Sequence, residues 1–178
     1  MPCSGGSAPN VIPDYTSGRF NFRSLKSKSL EELRERVERI LRSAADATGC
    51  EVKLTWDKWP YLDVQNNSAL MDIYVKAMNK AGYVDTNPGV REPEPATAST
   101  DFGNVTYNMP AIHPSFGIHT VHHPHTAGFA DAAGTDTAFD DALITAKSLA
   151  VTGLTVLENE KVYNDVVQEF RQFQKDQK

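Results

Sequence analysis

All five histidines of the chain fall in one stretch, "IHPSFGIHTVHHPHT" at 112–126: His113, His119, His122, His123 and His125. Imidazole is neutral near pH 7 and is the commonest protein ligand for zinc-type metals, so several in a short span ask whether they converge on an ion. Spacing decides more than number. His123 and His125 alternate across Pro124 and would point to one side of an extended segment, with His119 joining from the preceding turn. A self-contained zinc site would also want a cysteine or carboxylate at tight spacing, and Cys50 is remote in sequence. The competing reading is that these imidazoles hydrogen-bond locally in a loop. Asp101, in "STDFGNV", is a ligand, a hydrogen-bonding partner of a ligand, or a loop cap.

Other chemistries find less support. The chain has no GxSxG elbow and no cysteine flanked by histidine, and "GGSAPN" lacks the lysine of a phosphate-binding loop. With 178 residues the chain can bury a core without metal or disulfide staples, so size gives no reason to need zinc. A formal net charge of −5 argues against a nucleic-acid backbone or an anionic membrane as partner. Cys3 and Cys50 form no CxxC pair and suggest reduced thiols in a cytoplasmic protein. No apolar run reaches the roughly 18 residues of a membrane span, and "MPCSGGSAPN" has no secretory-signal pattern. "GGSAPNVIPDY" reads as a loop entering a strand, which hints at a portion missing before it.

The elements that must position these residues can be read from periodicity. In "SGRFNFRS", at 17–24, Phe20 and Phe22 alternate with Arg19, Asn21 and Arg23, the period of a half-buried strand with both rings inward. Ser29 and Glu32 have capping-box spacing. Leu30, Leu33, Val37, Ile40, Leu41 and Ala44 then follow at helical intervals up to Gly49. Glu32 and Arg36, Glu35 and Arg39, and Glu38 and Arg42 are i,i+4 pairs on what reads as a solvated face. "CEVKLTW" resumes strand alternation, completing a strand, helix, strand unit of a two-layer α/β sandwich. A second helix is expected over 68–81 with Leu70, Ile73, Tyr74, Ala77 and Met78 inward and Gly82 at its end. Pro60 and Asn66-Asn67 mark the boundary. "VDTNPGVREPEPATAST" reads as a long loop. A long helix is expected over 137–157, burying Phe139, Ala142, Leu143, Ala146, Ala150 and Leu154, and a last one over 159–173.

"GGSAPNVIPDY", the Arg-bearing strand and the helix ending "ATGCEV" resemble the lid, or dimerisation, domain of the aminoacylase/carboxypeptidase metallopeptidase family. "ASTDFGNVTYNMPAIHPSF" and "HTAGFADAAGTD" resemble the end of its catalytic domain, in the amidohydrolase-like branch that includes the Xaa-Arg and β-alanyl-lysine dipeptidases. The resemblance covers nearly the whole chain in the family's order. It implies an α/β fold: residues 1–59 as a partial lid and 60–178 as the C-terminal portion of the catalytic domain. It also implies hydrolysis of amide bonds in dipeptides or N-acyl amino acids by a metal-bound water, with zinc, manganese or cobalt as cofactor and a Glu as general base.

Residue by residue, the resemblance makes His125 the last metal ligand and Phe129 its packing neighbour. Asn10 and Arg23 match lid positions that bind substrate, sometimes across a dimer. The family usually has an acidic residue where this chain has Gly128. The family's earlier ligands and base come from a His-x-Asp motif, a bridging Asp, a Glu-Glu pair and another acidic residue. Here no His precedes His113, no His-x-Asp occurs, and the sole Glu-Glu, Glu31-Glu32, lies in the lid helix. No catalytic residue is therefore assigned, and roles for Asp101, His113, His119, His122 and His123 stay open. The expectation is a truncated hydrolase, inactive alone, with a homo-oligomer or a full-length relative as partner through the lid. The alternatives are a non-catalytic dimerisation or regulatory module and a small His-rich metal-binding module.

Overall fold

The computed structural model describes residues 5–83 and 99–177. Of the loop read over 84–100, residues 84–98 lie outside the described residues, as does Cys3. The chain divides into two compact units, Met1–Trp56 and Asp57–Lys178.

The first unit is built on α1 (Ser27–Thr48). Its start differs from the expected capping box: Lys26 is the N-cap, without a side-chain cap bond, and Ser29 falls inside the first turn. Its end is as expected. Gly49 takes φ 67°, a left-handed conformation that costs glycine little, and the Cys50 N–H returns to the Ala45 carbonyl at 2.9 Å. Of the expected ion pairs only Glu35 with Arg39 is within range, at 3.9 Å. Arg34 instead lies between Glu31 (3.7 Å) and Glu38 (3.5 Å), with its guanidinium 5.0 Å from the centre of the Trp56 ring. Phe22 meets the same indole at 5.8 Å.

The two strands expected at 17–24 and 50–56 are absent among the described residues. Ser17 makes an isolated bridge, and the rest of both segments forms no ladder. Alternation specifies a two-faced segment, but a strand also needs a neighbour to accept and donate its backbone hydrogen bonds. The described structure is thus mostly helical, and it does not confirm an α/β sandwich. Phe20, expected inward, is 69% exposed, while Phe22 is half-buried.

The second unit contains α2 (Ser68–Lys80), α3 (Phe102–Thr106), α4 (Ala127–Ala133), α5 (Asp136–Glu158) and α6 (Glu160–Asp176). Helix α2 packs chiefly on α5 and also on α6. Asn67 organises the junction. Its Oδ1 accepts from Leu70 N–H (3.1 Å) to cap α2, and its Nδ2 donates to the Val166 carbonyl of α6 (3.1 Å). Glu169 of α6 accepts from the next two amides, Ser68 at 2.7 Å and Ala69 at 3.0 Å, placing a carboxylate at the positive end of the α2 dipole. Tyr74 and Met78 are buried as expected, with Ala138 and Val166 completing the buried apolar residues described. Gly103 is buried, and a Cβ there would run into the Leu62 carbonyl, so the close approach requires glycine.

Helix α5 corrects the sequence reading. Phe139 (66% exposed), Leu143 and Leu154 face outward, Ala146 and Ala150 are exposed, and Ala142 is only half-buried. The buried stripe is Ala138, Asp141, Thr145, Ser148 and Thr152. Small side chains at i, i+3, i+4 spacing let α2 approach with its bulky Tyr74 and Met78. The hydroxyls satisfy themselves on their own helix: Thr145 donates to the Asp141 carbonyl (2.8 Å), Ser148 to Ile144 (2.9 Å) and Thr152 to Ser148 (2.8 Å). Burying them therefore leaves no donor unmet.

Candidate functional site: the histidine loop

The loop that carries the histidines is fastened to the helical layer at several points. Asn67 N–H donates to the Ala111 carbonyl at 3.0 Å, and the Asn66 Oδ1 accepts from His113 N–H at 2.8 Å. The exposed His113 ring lies against Phe102, 4.6 Å between centroids. Farther on, the Tyr83 hydroxyl accepts from Gly117 N–H at 2.7 Å. His119 Nε2 then stands 3.2 Å from Asp141 Oδ2 on the buried stripe of α5.

The C-terminal end of the loop is fixed by Thr126. Its hydroxyl donates to the His123 carbonyl at 2.8 Å and accepts from Phe129 N–H at 3.3 Å, capping α4. The His122 ring covers Gly128, where a Cβ would come within 2.6 Å of the imidazole. A side chain at 128 would require the exposed His122 ring to move aside.

His125 is exposed and held at φ 71°, and His119 is at φ 53°. Both are in the left-handed region that side chains other than glycine rarely occupy, although histidine does so more often than most. Asp101, considered as a loop cap, sits at the N-cap position of α3 without a side-chain cap bond; the Thr100 hydroxyl accepts from Phe102 N–H instead. Asn10 and Arg23 are exposed residues of the first unit, whereas all five histidines lie in the second.

The described residues do not by themselves fit a two-metal centre. Among them no three His, Cys, Asp or Glu side chains gather to hold an ion, and a single imidazole at His125 cannot hold two divalent cations. Sequence reasoning missed Asn66, Tyr83, Thr126 and Asp141, which secure the loop. The signal for Asp141 was available in the 3-4-3-4 spacing from Ala138 to Thr152, which marks a helix face made of small and polar residues. None of the described helices is long and apolar enough to cross a membrane.

Comparison with known proteins accords with the family reading. A peptidase dimerisation domain matches residues 3–49. Xaa-Arg dipeptidase from Mus musculus is 36% identical over 170 residues, covering 94% of this chain and 39% of the relative. The Homo sapiens Xaa-Arg dipeptidase is 34% identical over 94% of this chain and 38% of its own length. N-acetyldiaminopimelate deacetylase from Leuconostoc mesenteroides is 27% identical over 70% of this chain and 31% of its own length. The chain thus spans about two fifths of the length of the dipeptidases it matches. By this set of matches the chain belongs to the aminoacylase/dipeptidase family of peptidases.

Proposed function

We propose that these residues are part of a hydrolase that cleaves the amide bond of dipeptides or N-acyl amino acids, and that they are inactive alone. The observation that carries this reading is the match of 94% of the chain, at 36% identity, to 39% of a dipeptidase. On it, residues 1–59 form part of a lid and 60–178 the C-terminal portion of a catalytic domain. His125 contributes one ligand to a centre of zinc, manganese or cobalt ions. The remaining ligands and the general base come from groups that this sequence does not supply. When bound, such ions polarise the amide carbonyl and acidify a water. Asn10 and Arg23 help bind substrate, and a homo-oligomer or a full-length relative is the partner through the lid. Exposed Cys50, a free thiol, suits a reducing cytoplasm.

Two structural facts support incompleteness. Phe139, Leu143, Ala146, Ala150, Leu154 and Leu157 form an outward apolar stripe on α5, suited to a missing layer of the catalytic domain. Around Phe22 and Val52 no strand is formed among the described residues, and in the assembled lid these alternating segments would pair in the sheet of an α/β sandwich.

The test grafts this chain in place of the matching segment of mouse Xaa-Arg dipeptidase and follows dipeptide hydrolysis and metal content beside the isolated chain. The isolated chain is expected to show no turnover, and the graft to be active. His125→Ala in the graft should cost more than the roughly 10–100-fold typical of losing an outer partner of a ligand. Turnover with two-metal loading in the isolated chain, or an active graft indifferent to His125→Ala, would overturn the proposal.

A further inference from the structure

We infer that His119 and Asp141 form a clasp that sets where His125 stands, so that both are positioning residues for the loop. The inference takes its functional meaning from the reading of His125 as a ligand, but the clasp itself does not depend on it.

Asp141 belongs to the buried stripe of α5, and its side chain is only 10% exposed. Its Oδ2 is buried and accepts no hydrogen bond of good geometry among the described residues; its neighbour is the His119 ring, Nε2 at 3.2 Å. A buried carboxylate is costly without a compensating donor or charge, and the His119 ring, at 3.2 Å, is the group within reach to supply one. His119 is itself 42% exposed, so it reaches Asp141 from the loop and is not part of the core.

The backbone shows what the contact restrains. Between residues 119 and 125 the chain is left-handed at both ends, φ 53° and φ 71°. Such conformations are disfavoured for residues bearing a Cβ, and they persist where the surroundings hold them. The Thr126 cap and the His122 ring over Gly128 hold the second end. At the first end, the Thr120 hydroxyl accepts from His122 N–H at 3.1 Å within the turn, and the His119–Asp141 contact is the side-chain tie from the turn to α5. Gly117, two residues earlier, is tied to the Tyr83 hydroxyl and so fixes the chain that enters the turn. His125 thus projects from a short span pinned at one end to α5 and at the other to α4.

The test uses the isolated chain labelled with ¹³C-histidine, without metal. It records the five ring resonances and backbone amide exchange in His119→Ala, His119→Gln and Asp141→Asn. His119→Ala should raise exchange at 120–126 by about tenfold and move the His125 ring resonance toward its unfolded position, leaving α2 and α5 amides protected. His119→Gln keeps an N–H donor of similar reach and should restore both signals. Asp141→Asn should fall between the two; because it alters a buried group, His119→Ala decides the matter if that variant unfolds. An unchanged His125 resonance and unchanged exchange in His119→Ala would overturn the clasp, as would His119→Gln behaving like His119→Ala. If the clasp holds but an active graft ignores His125→Ala, the ligand reading fails and the clasp remains.

Discussion

Helix α1 has twenty-two residues and none of them is buried, whereas α2, with thirteen, buries Tyr74 and Met78. The two helices are similar in sequence quality; both have apolar residues at helical spacing, and α1 has the more regular charged face. The second unit differs in tertiary supply. Helix α6 gives α2 a carboxylate for its first amides, Val166 accepts from Asn67, and α5 offers a stripe small enough for close approach. In the first unit, Trp56 and Phe22 cover part of one face, and the salt bridges are local to the helix. Amphipathic pattern alone therefore does not create a core. A partner surface with matched size and matched hydrogen bonding does.

The sharpest way to break the contrast is at Gly103. Adding a methyl group collides with backbone at Leu62, which cannot rotate away as a side chain would. Gly103→Ala should cost about 3 kcal/mol or more and remove cooperative unfolding of the second unit, read by urea denaturation. Asn67→Ala comes next. It removes the α2 cap and leaves the Val166 carbonyl short of its donor, so a loss of about 2–3 kcal/mol is expected in the same measurement.

The two faces of α5 give a third test. Ser148→Leu adds bulk to a 2%-exposed position facing the α2 layer and should cost about 1–3 kcal/mol. Leu154→Ser changes a 55%-exposed position and should move stability of the isolated chain by no more than about 0.5 kcal/mol. Equal effects would mean that the outward stripe is covered in solution. Arg34→Ala probes the first unit. It removes two exposed ion-pair contacts and the stacking on Trp56, and about 0.5–1 kcal/mol is expected, chiefly from the indole contact.

Much of the helical layout was legible because it rests on local spacing. The helix expected over 68–81 is Ser68–Lys80, and that over 137–157 is Asp136–Glu158. Gly49 was legible as a stop because a left-handed C-cap favours glycine. The strands did not follow from alternation, since Phe20 and Phe22 say which sides differ and nothing about which backbone pairs with them. The buried face of α5 was misread because apolar residues outweighed Thr145, Ser148 and Thr152, whose hydroxyls bond within the helix. At the site, the histidine spacing showed that a loop bears imidazoles. The left-handed turns at His119 and His125, and the carboxylate waiting on α5, are tertiary facts that no local spacing carries.

Tyr74 offers the finest discrimination between packing and polar satisfaction in the α2–α5 layer. The ring is fully buried, yet its hydroxyl lacks a hydrogen bond of good geometry among the described residues. Burial pushes its pKa above the ordinary 10.0; the nearby Thr145 hydroxyl pulls it down, and Tyr83 adds to the rise. Because the folded state holds this proton more tightly than the unfolded chain, the associated stability is fully present below the unfolded pKa. It is lost as pH rises through the raised folded value. Tyr74→Phe keeps the ring and removes the poorly satisfied hydroxyl. At neutral pH it should leave stability within about 0.5 kcal/mol of the parent or slightly raise it, because no good hydrogen bond is lost. Above pH 10 the parent should lose stability that the variant retains, measured by urea midpoints across an alkaline series. A variant clearly weaker at pH 7 would mean that the hydroxyl, like those of Thr145 and Ser148, is held by a bond the packing depends on.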